Sequence, residues 1–224
     1  MWYKVKRIMV WQNWVEKQVR PYKYNPNENT KFYLPLKSDI LDYSWNSVST
    51  SWWWTITYQN PWALFTWALS IWYTQTLSNF TVVGYYKAPN TSTAVNIISQ
   101  AYIVSGNYNW WDMSYNSSQN NTFRIEFLKP ATTQVLQQFV YNVWSTSWHN
   151  IIVTVENSSN LKVYIDWVEK ITGSVSWYNP YSINYAIWAN SKSIYASEVI
   201  LENKVRTATE ITNYYNLTKS NYWL

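Results

Sequence analysis

Short runs of β-branched and aromatic residues alternate with clusters of Ser, Thr, Asn and Pro along most of the chain. From Lys31 onward the runs fall at Phe32–Leu36, Ala68–Tyr73, Phe80–Tyr86, Val95–Val104, Phe123–Leu128, Val135–Tyr141, Asn150–Val155, Leu161–Ile165, Tyr181–Ala189 and Ser193–Leu201. Runs of this length between turn formers predict strands. Many such strands need a second layer to cover their apolar faces, so the pattern predicts an all-β, two-sheet antiparallel sandwich. One segment reads as helix. Thr207-Ala-Thr-Glu210 has the spacing of a capping box, in which the Thr hydroxyl accepts from a backbone N–H and the Glu reaches back. The helix is expected to end near Asn216 and to pack Ile211, Tyr214 and Tyr215 on the body.

The first 30 residues read differently. Residues 3–10 and about 14–20 predict two strands joined by a short turn at Trp11–Trp14. Prolines 21 and 26 and asparagines 25, 27 and 29 then mark a boundary. The expected division is a hairpin arm and linker over residues 1–30 and a sandwich over residues 31–224.

Composition changes this picture at one point. The chain has 3 glycines and 18 tryptophans in 224 residues, where average usage gives about 16 glycines. The tryptophans sit where turns want glycine, the residue that reaches positive φ without steric cost. Examples are Asn13-Trp14, Ser44-Trp45-Asn46, the triple Trp52-Trp53-Trp54, Asn60-Pro61-Trp62 and Asp166-Trp167. A source that reads UGA as glycine, translated on paper as though UGA meant tryptophan, accounts for both deviations. Trp111 and Trp148 are expected to be genuine and, for Trp148, buried; Trp14, Trp45 and Trp52–Trp54 are expected to be exposed. The alternative is a Trp-rich protein whose rings form a sugar-stacking surface.

The net charge of +5 is uneven: residues 1–37 hold eight Lys/Arg against two acids. A basic lead on a near-neutral body suggests a docking arm. Its basic residues are too dispersed and its pattern too β-like to favour nucleic acid. No span of ~20 apolar residues suggests a membrane helix, and Met1–Lys6 is followed by no apolar stretch and cleavage site of a leader. With no cysteine, disulfides and a thiolate metal site are excluded, and one histidine without cysteine argues against zinc.

Several landmarks in order resemble laminin-G-like modules of the concanavalin A-like lectin/glucanase superfamily. Phe32-Tyr-Leu-Pro-Leu36 followed by Leu41-Asp-Tyr-Ser-Trp45-Asn46 resembles the opening "LPL…D.SGN". Asn60–Ile71 and Phe80–Lys87 resemble the segment and core strand that follow. Ser147-Trp-His-Asn-Ile-Ile-Val-Thr-Val155 resembles "W.H.A.T..", and Leu161-Lys-Val-Tyr-Ile-Asp166-Trp167 resembles the "LK.Y.DG" hairpin. Ile194–Ile200 with the capped helix resembles the module's end. The resemblance covers residues 31–217, and its departures at Trp45 and Trp167 disappear if both are glycine. It implies a jelly-roll sandwich. A strand pair ahead of such a module resembles the leaders of phage structural and bacterial surface proteins.

The superfamily's glucanases carry E-x-D-x-x-E on one strand, because alternate residues share a face and retaining hydrolysis needs two carboxyls ~5 Å apart. None of the twelve acids has that spacing. Glu198 and Glu202 share a face of a predicted strand, and the expectation for them is a strand edge with two solvated charges. His149 has no strained Ser turn to pair with and is expected to be structural. Many laminin-G-like modules bind calcium through loop oxygens, so Asp39, Asp42 and Asn46 are the metal candidates. The expected function is non-catalytic, lectin-like recognition of carbohydrate or a surface protein. The suspected setting is a virion or cell surface, with assembly through residues 1–20. A structural decoration without ligand is the alternative, and a glycan-cleaving enzyme a more distant one.

Overall fold

The computed structural model describes residues 24–36, 40–53, 56–59, 62–65, 68–73, 77–87, 94–104, 107–116, 122–128, 135–142, 147–175, 185–188 and 194–221. The expected arm of residues 1–20, with Trp14, lies outside them, as do Asp39 and Trp54.

Among the described residues there are fifteen strands: β1 (Thr30–Leu34), β2 (Thr50–Trp53), β3 (Ile56–Gln59), β4 (Trp62–Phe65), β5 (Ala68–Ile71), β6 (Phe80–Lys87), β7 (Ala94–Val104), β8 (Asn107–Asn116), β9 (Thr122–Leu128), β10 (Val135–Asn142), β11 (His149–Glu156), β12 (Asn160–Ile165), β13 (Val168–Ser174), β14 (Tyr185–Trp188) and β15 (Ile194–Glu202). One α-helix, α1 (Ala208–Thr218), follows, with a 3₁₀ turn at Lys219–Asn221. The strands form two antiparallel sheets. The first has eight strands in the order β13-β12-β11-β6-β15-β4-β3, with β1 also on β15; the second has seven in the order β10-β9-β8-β7-β14-β5-β2.

The sheets pack face to face over one apolar core. Phe80, Val82, Val153 and Leu201 contribute from the first sheet and Leu69, Ile98, Trp111, Met113 and Ile125 from the second. Phe80 stacks on Trp111 across the interface at 5.6 Å between centroids. A second cluster lies on the opposite face of the eight-stranded sheet: Tyr33, Val83, Tyr85, Ile152, Tyr164 and Ile200 are covered by Ile211 and Tyr214 of α1, with Tyr24 and Trp148 in the same cluster. The middle strands are therefore buried on both faces, and β6 and β11 are buried continuously rather than at alternate residues.

The capping box forms as expected. Glu210 N–H donates to the Thr207 hydroxyl, and Thr207 N–H donates to the Glu210 carboxylate. The helix runs one half-turn beyond the predicted Asn216, with Ile211, Tyr214 and Tyr215 buried. Residues 24–30, assigned to the linker, include the buried Tyr24, whose ring meets Tyr33 edge-on at 4.9 Å.

Two readings are corrected. Trp52 and Trp53 belong to strand β2, not to a loop, because they pair with Leu69 and Ala68 of β5. Glu198 and Glu202 are buried, at 0% and 1% exposure, rather than solvated. Their strand β15 is not an edge: it lies between β6 and β4, and β1 and α1 cover its second half.

Candidate functional site

Three places gather polar chemistry. The first is the loop after β1. Asp42 Oδ1 accepts from the N–H groups of Tyr33 and Ser44, both at 2.8 Å. Its Oδ2 accepts from the Ser44 hydroxyl and the Val48 N–H, both at 2.7 Å. An ionised carboxylate has about four lone-pair sites, so Asp42 is spent on holding the loop to β1. The Asn46 amide donates its N–H to the carbonyls of Thr30 and Lys31. The loop thus brings two of the three metal candidates onto β1, and both act there as structural hydrogen-bonding groups. Trp45 at its tip is 82% exposed.

The second place is a buried polar network beneath α1, which sequence reasoning missed. Arg206 donates to both oxygens of Glu202, through Nε at 2.6 Å and Nη2 at 3.0 Å. The Tyr24 hydroxyl donates to Glu202 at 2.6 Å, and the Tyr214 hydroxyl donates to Glu198 at 3.0 Å. The Arg206 guanidinium lies 4.8 Å from the Tyr214 ring and 5.6 Å from the Tyr24 ring. Burial, followed by the Glu202 charge, pushes the Tyr24 hydroxyl well above its ordinary range and keeps it a donor. Glu198 sits at φ 54, inside the register shift of β15 between Ser197 and Ile200. A bulge of this kind re-aims a side chain, here toward Tyr214. Carboxylates so committed fasten a helix and an N-terminal segment to a sheet.

The third place is the β12–β13 hairpin tip, where His149, Asp166, Trp167 and Tyr215 meet. Asp166 Oδ2 lies 2.8 Å from His149 Nδ1, and its Oδ1 accepts from the Asn150 N–H at 2.9 Å. His149 is thereby fixed by a carboxylate. The two-residue turn has φ 50 at Asp166 and φ 64 at Trp167. Trp167 is 43% exposed, and its ring lies against Tyr215 of α1 at 4.2 Å between centroids with the planes tilted by 39°. Lys219 Nζ lies 5.3 Å from the same Tyr215 ring. By contrast, Trp111 and Trp148 are 0% and 5% exposed. Trp62 opens β4 half-buried, against Trp148 and Tyr195, so it has packed neighbours that a bare turn position lacks.

The architecture has counterparts among solved structures. The binding domain of botulinum neurotoxin serotype G superposes with a TM-score of 0.68 at 12% identity, over 86% of this chain and 52% of that one. The binding domain of botulinum neurotoxin DC in complex with rat synaptotagmin II matches at 0.67 and 12%, over 84% and 51%. The same domain in complex with SialylT matches at 0.67 and 13%, over 84% and 51%. The chain therefore spans about half the length of these domains. At such identities the likeness establishes the β-sandwich fold. No family model and no curated protein sequence matches the chain.

No helix among the described residues is long and apolar enough to cross a membrane. Among the same residues, no group of three or more His, Cys, Asp or Glu could hold a metal ion.

Proposed function

We propose that the chain is a non-catalytic recognition module of the laminin-G-like, concanavalin A-like class. It binds carbohydrate or a surface protein as part of a phage structural or bacterial surface assembly. The observation that carries this reading is the likeness of nearly the whole described fold to solved binding domains, two of them captured with a protein or a sialylated ligand. The commitment of Glu198 and Glu202 to buried structural bonds supports the non-enzymatic side of it. A glycan array with and without calcium tests it. Reproducible binding is the expected result; a blank array in both conditions favours a decoration that binds no ligand, and release of sugars from β-glucans overturns the non-enzyme reading. Assembly through residues 1–20 is part of the same proposal, and the self-association of a chain lacking residues 1–20 tests it.

We infer further that the turn tryptophans are glycines in the natural protein, which changes the surface the module presents. The positive φ of both residues in the Asp166-Trp167 turn supports it, since two-residue hairpin turns of this kind take Asn-Gly or Asp-Gly. The contrast of exposed Trp45 and Trp167 with buried Trp111 and Trp148 supports it further. The coding DNA tests it. TGA at codons 45 and 167 with TGG at 111 and 148 is the expected result, and TGG at 45 and 167 ends the idea.

A further inference from the structure

The outer face of the seven-stranded sheet carries a polar cluster whose bonding is incomplete. Trp111 and Met113 of β8, Phe123, Ile125 and Phe127 of β9 and Phe139 of β10 belong to the core between the sheets. The residues between them therefore face outward. Cross-strand pairing sets Ser114 and Val140 on either side of Arg124, and Gln138 beside Glu126. Glu126 Oε1 accepts from Gln138 Nε2 at 2.6 Å and lies 3.2 Å from Arg124 Nε. The same Arg124 Nε donates to the Ser114 hydroxyl at 3.3 Å. Both Nη groups of Arg124, Glu126 Oε2 and Gln138 Oε1 have no partner among the described residues. The Glu126 side chain is 10% exposed. A carboxylate set so deep is costly unless its oxygens are hydrogen-bonded, and here one oxygen takes both contacts. Oε2 is nevertheless not sealed away as Asn150 Oδ1 is, so a ligand on the face can reach it.

The pairing register extends this cluster into a row across the whole sheet. From Gln138 and Glu126 it passes through Asp112 of β8, Ser99 of β7, Ala186 of β14, Ser70 of β5 and Ser51 of β2. Beyond Asp112 every position holds a small residue type. Six gaps of about 4.8 Å make the row about 29 Å long, which suits a chain of sugar units better than one ring. We propose that a neutral oligosaccharide lies along this row, across the strands, gripped at its β8–β10 end by Arg124 and Glu126. An anion would suit Arg124 but meet Glu126 and Asp112; a cation would suit the acids but meet Arg124. A hydroxyl both donates and accepts, so two adjacent hydroxyls can accept from an Arg124 Nη and donate to Glu126 Oε2 together. Val140, 49% exposed beside Arg124, offers apolar surface to the C–H side of the sugar. The inference rests on the recognition reading above and gives it a place and a ligand class. It uses none of the turn tryptophans.

The test titrates the full chain, followed by amide NMR, with neutral hexasaccharides of glucose, mannose and N-acetylglucosamine and, separately, with sialyllactose. The expected result is saturable shifts at the amides of residues 70, 114, 124, 126 and 138 for at least one neutral hexasaccharide, and none there for sialyllactose. Arg124→Lys keeps the charge but loses the planar fork, and is expected to weaken that binding at least tenfold. Ser70→Tyr obstructs the row far from the Arg124–Glu126 pair and should weaken it by a similar factor. Thermal melting separates lost binding from lost folding; should Arg124→Lys melt early, Ser70→Tyr decides. A neutral sugar that binds both folded variants undiminished, or that shifts only other amides, overturns the row while the recognition reading stands. Sialyllactose shifting these amides overturns the neutral ligand class. A blank panel beside hits on the glycan array overturns this inference alone, and blanks in both overturn it together with the recognition reading.

Discussion

Position 167 shows how a single residue can disagree with its fold. A two-residue turn with positive φ at both positions favours glycine at the second, and a non-glycine residue there is strained by roughly 1–2 kcal/mol. Trp167→Gly is accordingly expected to raise the free energy of unfolding by about 1 kcal/mol, less whatever the stack on Tyr215 contributes, as read from urea melts. Trp111 makes the opposite case. It is fully buried and stacked on Phe80, so Trp111→Ala is expected to cost about 3–5 kcal/mol. If both substitutions destabilise equally, tryptophan is native at both sites. This division was legible in the sequence because Trp167 follows Asp between two apolar runs, whereas Trp148 begins one. Asp42 was legible as a loop acid but not in its role. Its partners are backbone N–H groups at Tyr33, Ser44 and Val48, which leave no trace in residue identity. Asp42→Ala strands several donors, and a loss of about 2 kcal/mol or more is expected in EDTA and in calcium alike. A loss seen only in calcium would restore Asp42 as a ligand.

At the scale of elements, β8 escapes the sequence pattern because its period is diluted. β8 reads Asn-Tyr-Asn-Trp-Trp-Asp-Met-Ser-Tyr-Asn, and its inward Trp111 and Met113 are diluted by polar and aromatic neighbours that obscure the period of two. The buried acids of β15 were misread because their cover arrives later in the chain: Arg206 and Tyr214 follow the strand, and no local pattern announces that α1 folds back over it. The helix itself was legible from its capping box alone. Thr207→Ala removes the acceptor for the Glu210 N–H and is expected to cost about 1 kcal/mol. The Lys204 ammonium, then the Thr207 N–H, hold the Glu210 carboxyl below its usual value. A carboxyl whose folded pKa is depressed contributes stability above its unfolded pKa and loses it as pH falls through the folded value. The stability difference between the chain and Glu210→Gln should therefore be present at pH 7 and shrink steadily below about pH 4.5. A difference that grows on acidification would contradict the assignment.

For the whole molecule, the segment marked by prolines and asparagines holds residues that pack on the body. Tyr24 and Thr30 are joined by a hydrogen bond of 2.6 Å, and Tyr24 reaches Glu202 on the last strand. Punctuation in sequence marks where regular structure stops, and it is silent about an irregular segment that packs. Removing residues 1–29 is expected to lower the melting temperature by depriving Glu202 and Arg206 of Tyr24. Arg206→Ala leaves Glu202 buried without its cation and is expected to cost about 3–5 kcal/mol. The two changes should be less than additive, because they act on one network. The proposed carbohydrate recognition requires that this sandwich hold a glycan without cutting it. Native mass spectrometry of the chain with the strongest glycan from the array tests that most directly. A complex whose mass equals the chain plus the intact glycan, unchanged after prolonged incubation, is the predicted result; no adduct, or the appearance of shortened glycan, would contradict it.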